Sequence, residues 1–231
     1  MSSSDGGAVY GAAAGVVAIA LYLVGAVVGG TPPDFDASGS EVARWVADNR
    51  TQIQVGAAIQ ASWAPLFVCF LATVASLARA GGPAARRMAA IAFGCGLAFL
   101  ALFLADVTAL AVSALRPENL TADPELASAL HDFEWLAMGT ASFLVSGTLA
   151  AFAVLALREN LVWPRWLGWL AALAAVAYAM RAGTLFTTDG AFAADGPLGL
   201  WVPVIAAAGW IALASVVLTL DLRRGALPAG V

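Results

Sequence analysis

The sequence contains no lysine; all eleven of its cationic side chains are arginine. Charged residues make up 11% of the 231 positions and apolar residues 61%. That charged share is roughly half of what a globular domain carries. A soluble domain of this length needs far more polar surface, so the deficit points to the membrane class. The formal charge of −4 leaves no basic stripe, and nucleic acid is excluded as a partner on electrostatic grounds. Histidine occurs once, as His131, and cysteine twice, as Cys69 and Cys95. Both cysteines fall inside apolar runs and read as small packing residues instead of a disulfide or metal pair. Nothing resembles a phosphate loop, a nucleophile elbow or a Cys-x-x-Cys motif. No arginine precedes the first apolar run, as it would in a secretory signal, so residues 8–30 read as a retained helix. The arginine-only cations and the heavy use of alanine and glycine suggest a high-GC bacterial genome.

What the chain does have is length in hydrocarbon. A helix needs about 20 apolar residues to cross the core of a bilayer. Six segments meet that test, at approximately 8–30, 52–78, 88–115, 130–157, 163–183 and 198–220. Short polar loops separate them, which leaves no room for a soluble domain. The expected fold is all-α, a polytopic bundle of six transmembrane helices forming a single transmembrane domain over 1–231. The arginines orient it. Arg79, Arg86, Arg87, Arg158, Arg165, Arg223 and Arg224 share one side, whereas most of the acidic residues share the other. Both termini are therefore expected in the cytoplasm, in a bacterial cell (inner) membrane crossed several times.

Three further features can be placed on this frame. Ser38-Gly39-Ser40-Glu41 has capping-box spacing, and Val42, Trp45, Val46 and Asn49 then share a helical face. A short amphipathic helix is expected there, lying on the outer membrane surface or folded over the bundle as a lid. Trp163, Trp166 and Trp169 read as an interfacial anchor at the start of the fifth helix, with Pro164 in its first turn. Small residues four apart, at Ala92 and Gly96, Gly94 and Ala98, Ser142 and Ser146, and Gly147 and Ala151, mark candidate close helix contacts.

Polar side chains in hydrocarbon cost about 2.5–3.5 kcal/mol each when charged, so each one calls for a reason. Asp106 in the third helix, His131, Asp132 and Glu134 at the start of the fourth, and Arg181 late in the fifth are the candidates. Gln54, Gln60 and Trp63 of the second helix belong with them. Because helices alternate in direction, all these residues fall in the outer half of the bilayer, and a polar pocket opening outward satisfies them together. An Asp106–Arg181 ion pair is the simplest structural explanation, and Arg181 could instead snorkel to the interface. His131 and Glu134 have the i,i+3 spacing of a metal pair. With one histidine, however, no di-iron or zinc site is expected, and no cofactor. General acid–base chemistry remains, since withdrawal from water favours the neutral, proton-donating form of a carboxyl. Asp106 and Glu134 are the expected acid and base, and Gln60, Trp63, His131, Trp135 and Arg181 the expected substrate contacts. The aromatics Trp63, Phe133, Trp135, Tyr178 and Trp201 could line the pocket and stabilise a cationic species, which suits isomerisation or cyclisation of a lipophilic substrate.

Over Asp36-Ala37-Ser38-Gly39-Ser40-Glu41, Trp45 and Asn49-Arg50, and again over Trp163-Pro164-Arg165-Trp166-Leu167-Gly168-Trp169, the chain resembles a broad group of actinobacterial six-helix integral membrane proteins. These share an apolar first helix, an acidic outer loop with a short helix, and a tryptophan-rich start to the fifth. The resemblance implies topology and source for most of the chain and assigns no residue a role. Three functional classes follow from the residues: a membrane-embedded enzyme on a lipophilic substrate, a non-catalytic accessory or assembly subunit, and a transporter of a small solute or proton. The expected partners are the lipid bilayer, a lipophilic small molecule, and a further membrane protein or a second copy of the chain.

Overall fold

A computed structural model describes residues 3–159 and 161–225 of the chain. Among these residues eight α-helices are formed: α1 (Ser3–Gly29), α2 (Gly39–Asp48), α3 (Arg50–Ala78), α4 (Pro83–Leu115), α5 (Pro117–Ala122), α6 (Pro124–Leu157), α7 (Arg165–Met180) and α8 (Val202–Arg223). No strand occurs among the described residues. Six helical segments among the described residues are long and apolar enough to cross a membrane: α1, α3, α4, α6, α7 with its 3-10 extension to Leu185, and α8 with the turns that precede it. The chain is thus a polytopic integral membrane protein in contact with lipid. Proline agrees with this layout, capping α7 at Pro164 and sitting in the first turns of α4, α5, α6 and α8. Pro65 lies inside α3 without ending it.

The spans close into a ring in the order α3, α1, α8, α7, α6, α4 and back to α3. Aromatic rings fill its centre. Tyr22 meets Trp63 at 5.9 Å, Trp63 meets Phe67 at 4.9 Å, and the line continues through Phe70, Trp163, Phe152 and Trp210. The ring therefore has a packed core and not a pore along this line. One end of the bundle carries α2 and α5; the other carries the arginine-bearing loops.

The helix that carries the fourth span begins at Pro124, several residues ahead of the apolar segment, because Asp123 caps it, accepting from Leu126 N–H at 3.2 Å. One expectation is corrected here. Trp163 is not an interfacial anchor. It is 4% exposed, and its indole N–H donates to the Ala214 carbonyl at 3.0 Å. Val162, in the left-handed region at φ 71°, reverses the chain just before it. That conformation is strained for a β-branched residue, and burial of both Val162 and the Trp163 ring offsets it. Trp166 and Trp169, 49% and 62% exposed, do have the placement of interfacial side chains. Trp163→Phe should therefore cost about 1–3 kcal/mol through a lost buried hydrogen bond and an incompletely filled site. Trp169→Phe should stay within about 0.5 kcal/mol, the usual range for a surface substitution. Thermal unfolding of the two variants in detergent would check the contrast.

At the other end, α2 is a cap. Glu41 accepts from the Ser38 backbone N–H at 2.9 Å and from its hydroxyl at 2.8 Å, and these bonds hold the Glu41 carboxyl below its ordinary range. The apolar face of α2 then buries Val42, Ala43 and Val46 against Ile53, Ala114, Leu120 and Ala127. Its start presses so closely on α6 that a Cβ on Gly39 would collide with the Pro124 carbonyl and stand 2.6 Å from Ser128 Oγ. With its apolar face occupied by protein, α2 follows the lid reading and not the surface-anchor one.

Candidate functional site

The polar residues singled out in the sequence sort into two groups. The first is bonded within the fold. His131 is buried, and its Nε2 lies 3.0 Å from the Asp34 carbonyl and 3.2 Å from the Trp135 indole nitrogen. Trp135 also meets the edge of Phe35 at 6.4 Å. Together they fasten the α1–α2 connection to α6. Gln54 donates to the Ala114 carbonyl at 3.3 Å, and Gln60 lies against Gly25 of α1. Asp132, Phe133 and Trp201 are exposed, so neither aromatic lines an enclosed site.

In the second group each residue has one buried polar atom left without a partner. Asp106 Oδ1, Arg181 Nε, Trp63 Nε1 and Thr184 Oγ1 are all buried without a hydrogen bond. Trp63, Arg181 and Thr184 are only 3–5% exposed. Native proteins leave few buried polar atoms unpaired, and each exception asks for a water, a ligand or a functional reason. These four come from α3, α4 and the 3-10 turn that follows α7. Arg181 is within electrostatic reach of Asp106, Tyr22 and Tyr178, and Asp106 is within reach of Glu134. No hydrogen bond joins Asp106 Oδ1 to Arg181 Nε, so the simple ion-pair explanation does not complete either group. Tyr22 links the cluster to the aromatic core, meeting Trp63 and Phe103 at 5.9 Å each.

Sequence reasoning missed Tyr22 and Thr184. Tyr22 is the one hydroxyl in the otherwise apolar stretch from Gly11 to Gly29 of the first helix, and that was its available signal. Thr184 had none, because its burial depends on Gly139 of α6, where a Cβ would stand 2.5 Å from the Thr184 hydroxyl.

Glu134 and His131 also line a cavity directly beneath α2, with Val42, Val46 and Leu110 among its other walls. Its volume is about 10 Å³, room for a single water. Among the described residues, no three His, Cys, Asp or Glu side chains come together as metal ligands would. Chemically, the arrangement offers two carboxyls, a guanidinium and an indole N–H at the head of an aromatic column, with α2 roofing its Glu134 side. No family model, curated protein or solved structure matches the chain; the six-helix topology implied by the resemblance stands, and the comparisons assign no family.

Proposed function

We propose that the chain is a membrane-embedded enzyme acting on a lipophilic substrate, with its site at the cluster beneath α2. The observation that carries this reading is the set of unpaired buried atoms on Asp106, Arg181, Trp63 and Thr184. A substrate oxygen would take the free Arg181 and Trp63 donors while an apolar body follows the aromatic column. One of Asp106 and Glu134 gives a proton to a carbon of a double bond, and the other, as carboxylate, removes a proton from a second carbon. Such an isomerisation or cyclisation consumes no proton overall and needs no electron carrier. Gln60, His131 and Trp135 hold the surrounding helices and the α1–α2 connection in place. Access requires displacement of α2, since the cavity under it holds only about one water as it stands. The arginine-only cations and the heavy use of alanine and glycine support a bacterial cell membrane, and the distribution of the arginines supports both termini in the cytoplasm, the cluster then facing outward.

The small size of that cavity favours a second reading, a non-catalytic accessory subunit in which the cluster is a hydrated packing device. The two are separated by comparing extractable lipids from cells that lack the protein with cells expressing wild type, Asp106→Asn or Glu134→Gln. The enzyme reading expects a lipophilic species changed by wild type and unchanged, to within about one part in a hundred of the conversion, by either variant. Both variants restoring the full wild-type profile at equal membrane abundance would exclude carboxyl chemistry and leave the accessory reading.

A further inference from the structure

A cavity of about 420 Å³ lies in the other half of the bundle, in the seam between α6 and α7. Ala150, Ala153, Ala172 and Ala175 form its walls, Ser146 stands at one end and Arg158 at the other. The volume falls in the range of ligand pockets, and nearly the whole lining is apolar side chain. Its one hydroxyl is already used, since Ser146 donates to the Ala175 carbonyl at 2.9 Å. A space of this kind on the flank of two spanning helices fills with hydrocarbon.

Three features narrow the occupant. The first is width. α6 and α7 touch at both ends of the seam, through the Ser146–Ala175 bond and at Gly168, where a Cβ would come 2.7 Å from Leu157 Cγ. A helix, 10–12 Å across with its side chains, does not enter a seam between two helices in contact, whereas an alkyl chain does. The second is length. From Ser146 to Arg158 the helix rises about 18 Å, close to the depth of one leaflet's hydrocarbon, about 15 Å. The third is charge. Arg158 is exposed at the end of the seam, on the side of the bundle where the sequence places seven arginines against Asp5, Glu159 and Asp221. Guanidinium pairs with phosphate in a planar, charge-assisted geometry, and basic pockets between spanning helices take anionic headgroups.

We infer that the α6–α7 seam binds a single anionic glycerophospholipid, with one acyl chain in the seam and its phosphate on Arg158. This site is separate from the cluster under α2 and does not depend on the function proposed for it. The test is native mass spectrometry of the full chain in detergent with equimolar phosphatidylglycerol and phosphatidylcholine. Wild type should retain one lipid per chain and favour phosphatidylglycerol about fivefold, the effect of one arginine near an anionic headgroup. Arg158→Gln should abolish the preference while a lipid is still retained. Ala150→Phe, which fills the seam from an exposed position, should remove the retained lipid without lowering the unfolding temperature. Equal retention of the two lipids by wild type, or both variants behaving as wild type, overturns the inference. So does a dimer that Ala150→Phe dissociates, which would give the seam to a second copy of the chain.

Discussion

Gly56→Leu is expected to drive α1 away from α3 and to lower stability by about 3 kcal/mol, the upper end of ordinary overpacking. A Cβ on Gly56 would stand 2.6 Å from the Gly29 nitrogen and 2.8 Å from the Gly25 carbonyl. On the facing helix, a Cβ on Gly25 would stand 2.7 Å from the Gln60 nitrogen. The obstructing atoms are backbone, which cannot rotate aside as a side chain would, so the helices themselves must part. Gly25 and Gly29 are a Gly-x-x-x-Gly pair, the spacing that lets spanning helices approach most closely. Gly94→Leu is the control, because nothing lies within 4 Å of the Cβ it would add. Unfolding of both variants in mild detergent titrated with dodecyl sulfate would measure the difference. Equal stability of the two would show that α1 and α3 are not held in this contact.

Arg181→Met should separate stability from function. Arg181 is 5% exposed and its Nε is unpaired, so the folded state carries an incompletely compensated buried charge. Replacing a whole buried ion pair with apolar groups is often neutral or stabilising, by about 1–4 kcal/mol, whereas removing one member of a bonded pair costs about 3–5 kcal/mol; Asp106 escapes that penalty by taking up a proton and becoming neutral. The methionine variant is therefore expected to unfold no earlier than wild type and, under the proposed function, to lose the lipid conversion. Sites kept at a cost in stability behave in this way. The same unfolding assay and the same lipid profile check both halves. A loss of about 3 kcal/mol or more would instead make Arg181 a structural partner of Asp106 and Tyr178.

The spans were legible because hydrocarbon tolerates little else: about 20 apolar residues between short polar loops leave few alternatives. Helix alternation alone was enough to bring Asp106, Glu134, Arg181 and Trp63 to one end. What the sequence hid depends on neighbours. Trp163 shares its motif with two exposed tryptophans, and only the reversal at Val162 turns it inward. Gly25 and Gly29 went unnoticed in a chain with 23 glycines, since their meaning lies in Gly56 on another helix. Among the small-residue pairs that did stand out, Gly96 meets Leu71 and Gly147 meets Cys95, while Gly94 meets nothing. Spacing marked which residues could allow a close approach; the tertiary partner decided which of them did. The fate of α2 was open for the same reason, because an amphipathic face looks identical whether lipid or Leu120 and Ala127 cover it.

The lengths of α4 and α6, 33 and 34 residues, set the level at which the carboxyls stand. From Pro83 to Asp106 in α4, and from Glu134 to Leu157 in α6, each helix rises about 35 Å. Tilted by about 20°, either stretch still exceeds the roughly 30 Å of hydrocarbon. Both carboxyls can thus stand at the shoreline of the bilayer, with the last turns of α4, the first of α6, and α2 and α5 rising above it as a small dome on the water side. A lipid reaching them would stay anchored by its tail and lift only its head into that dome.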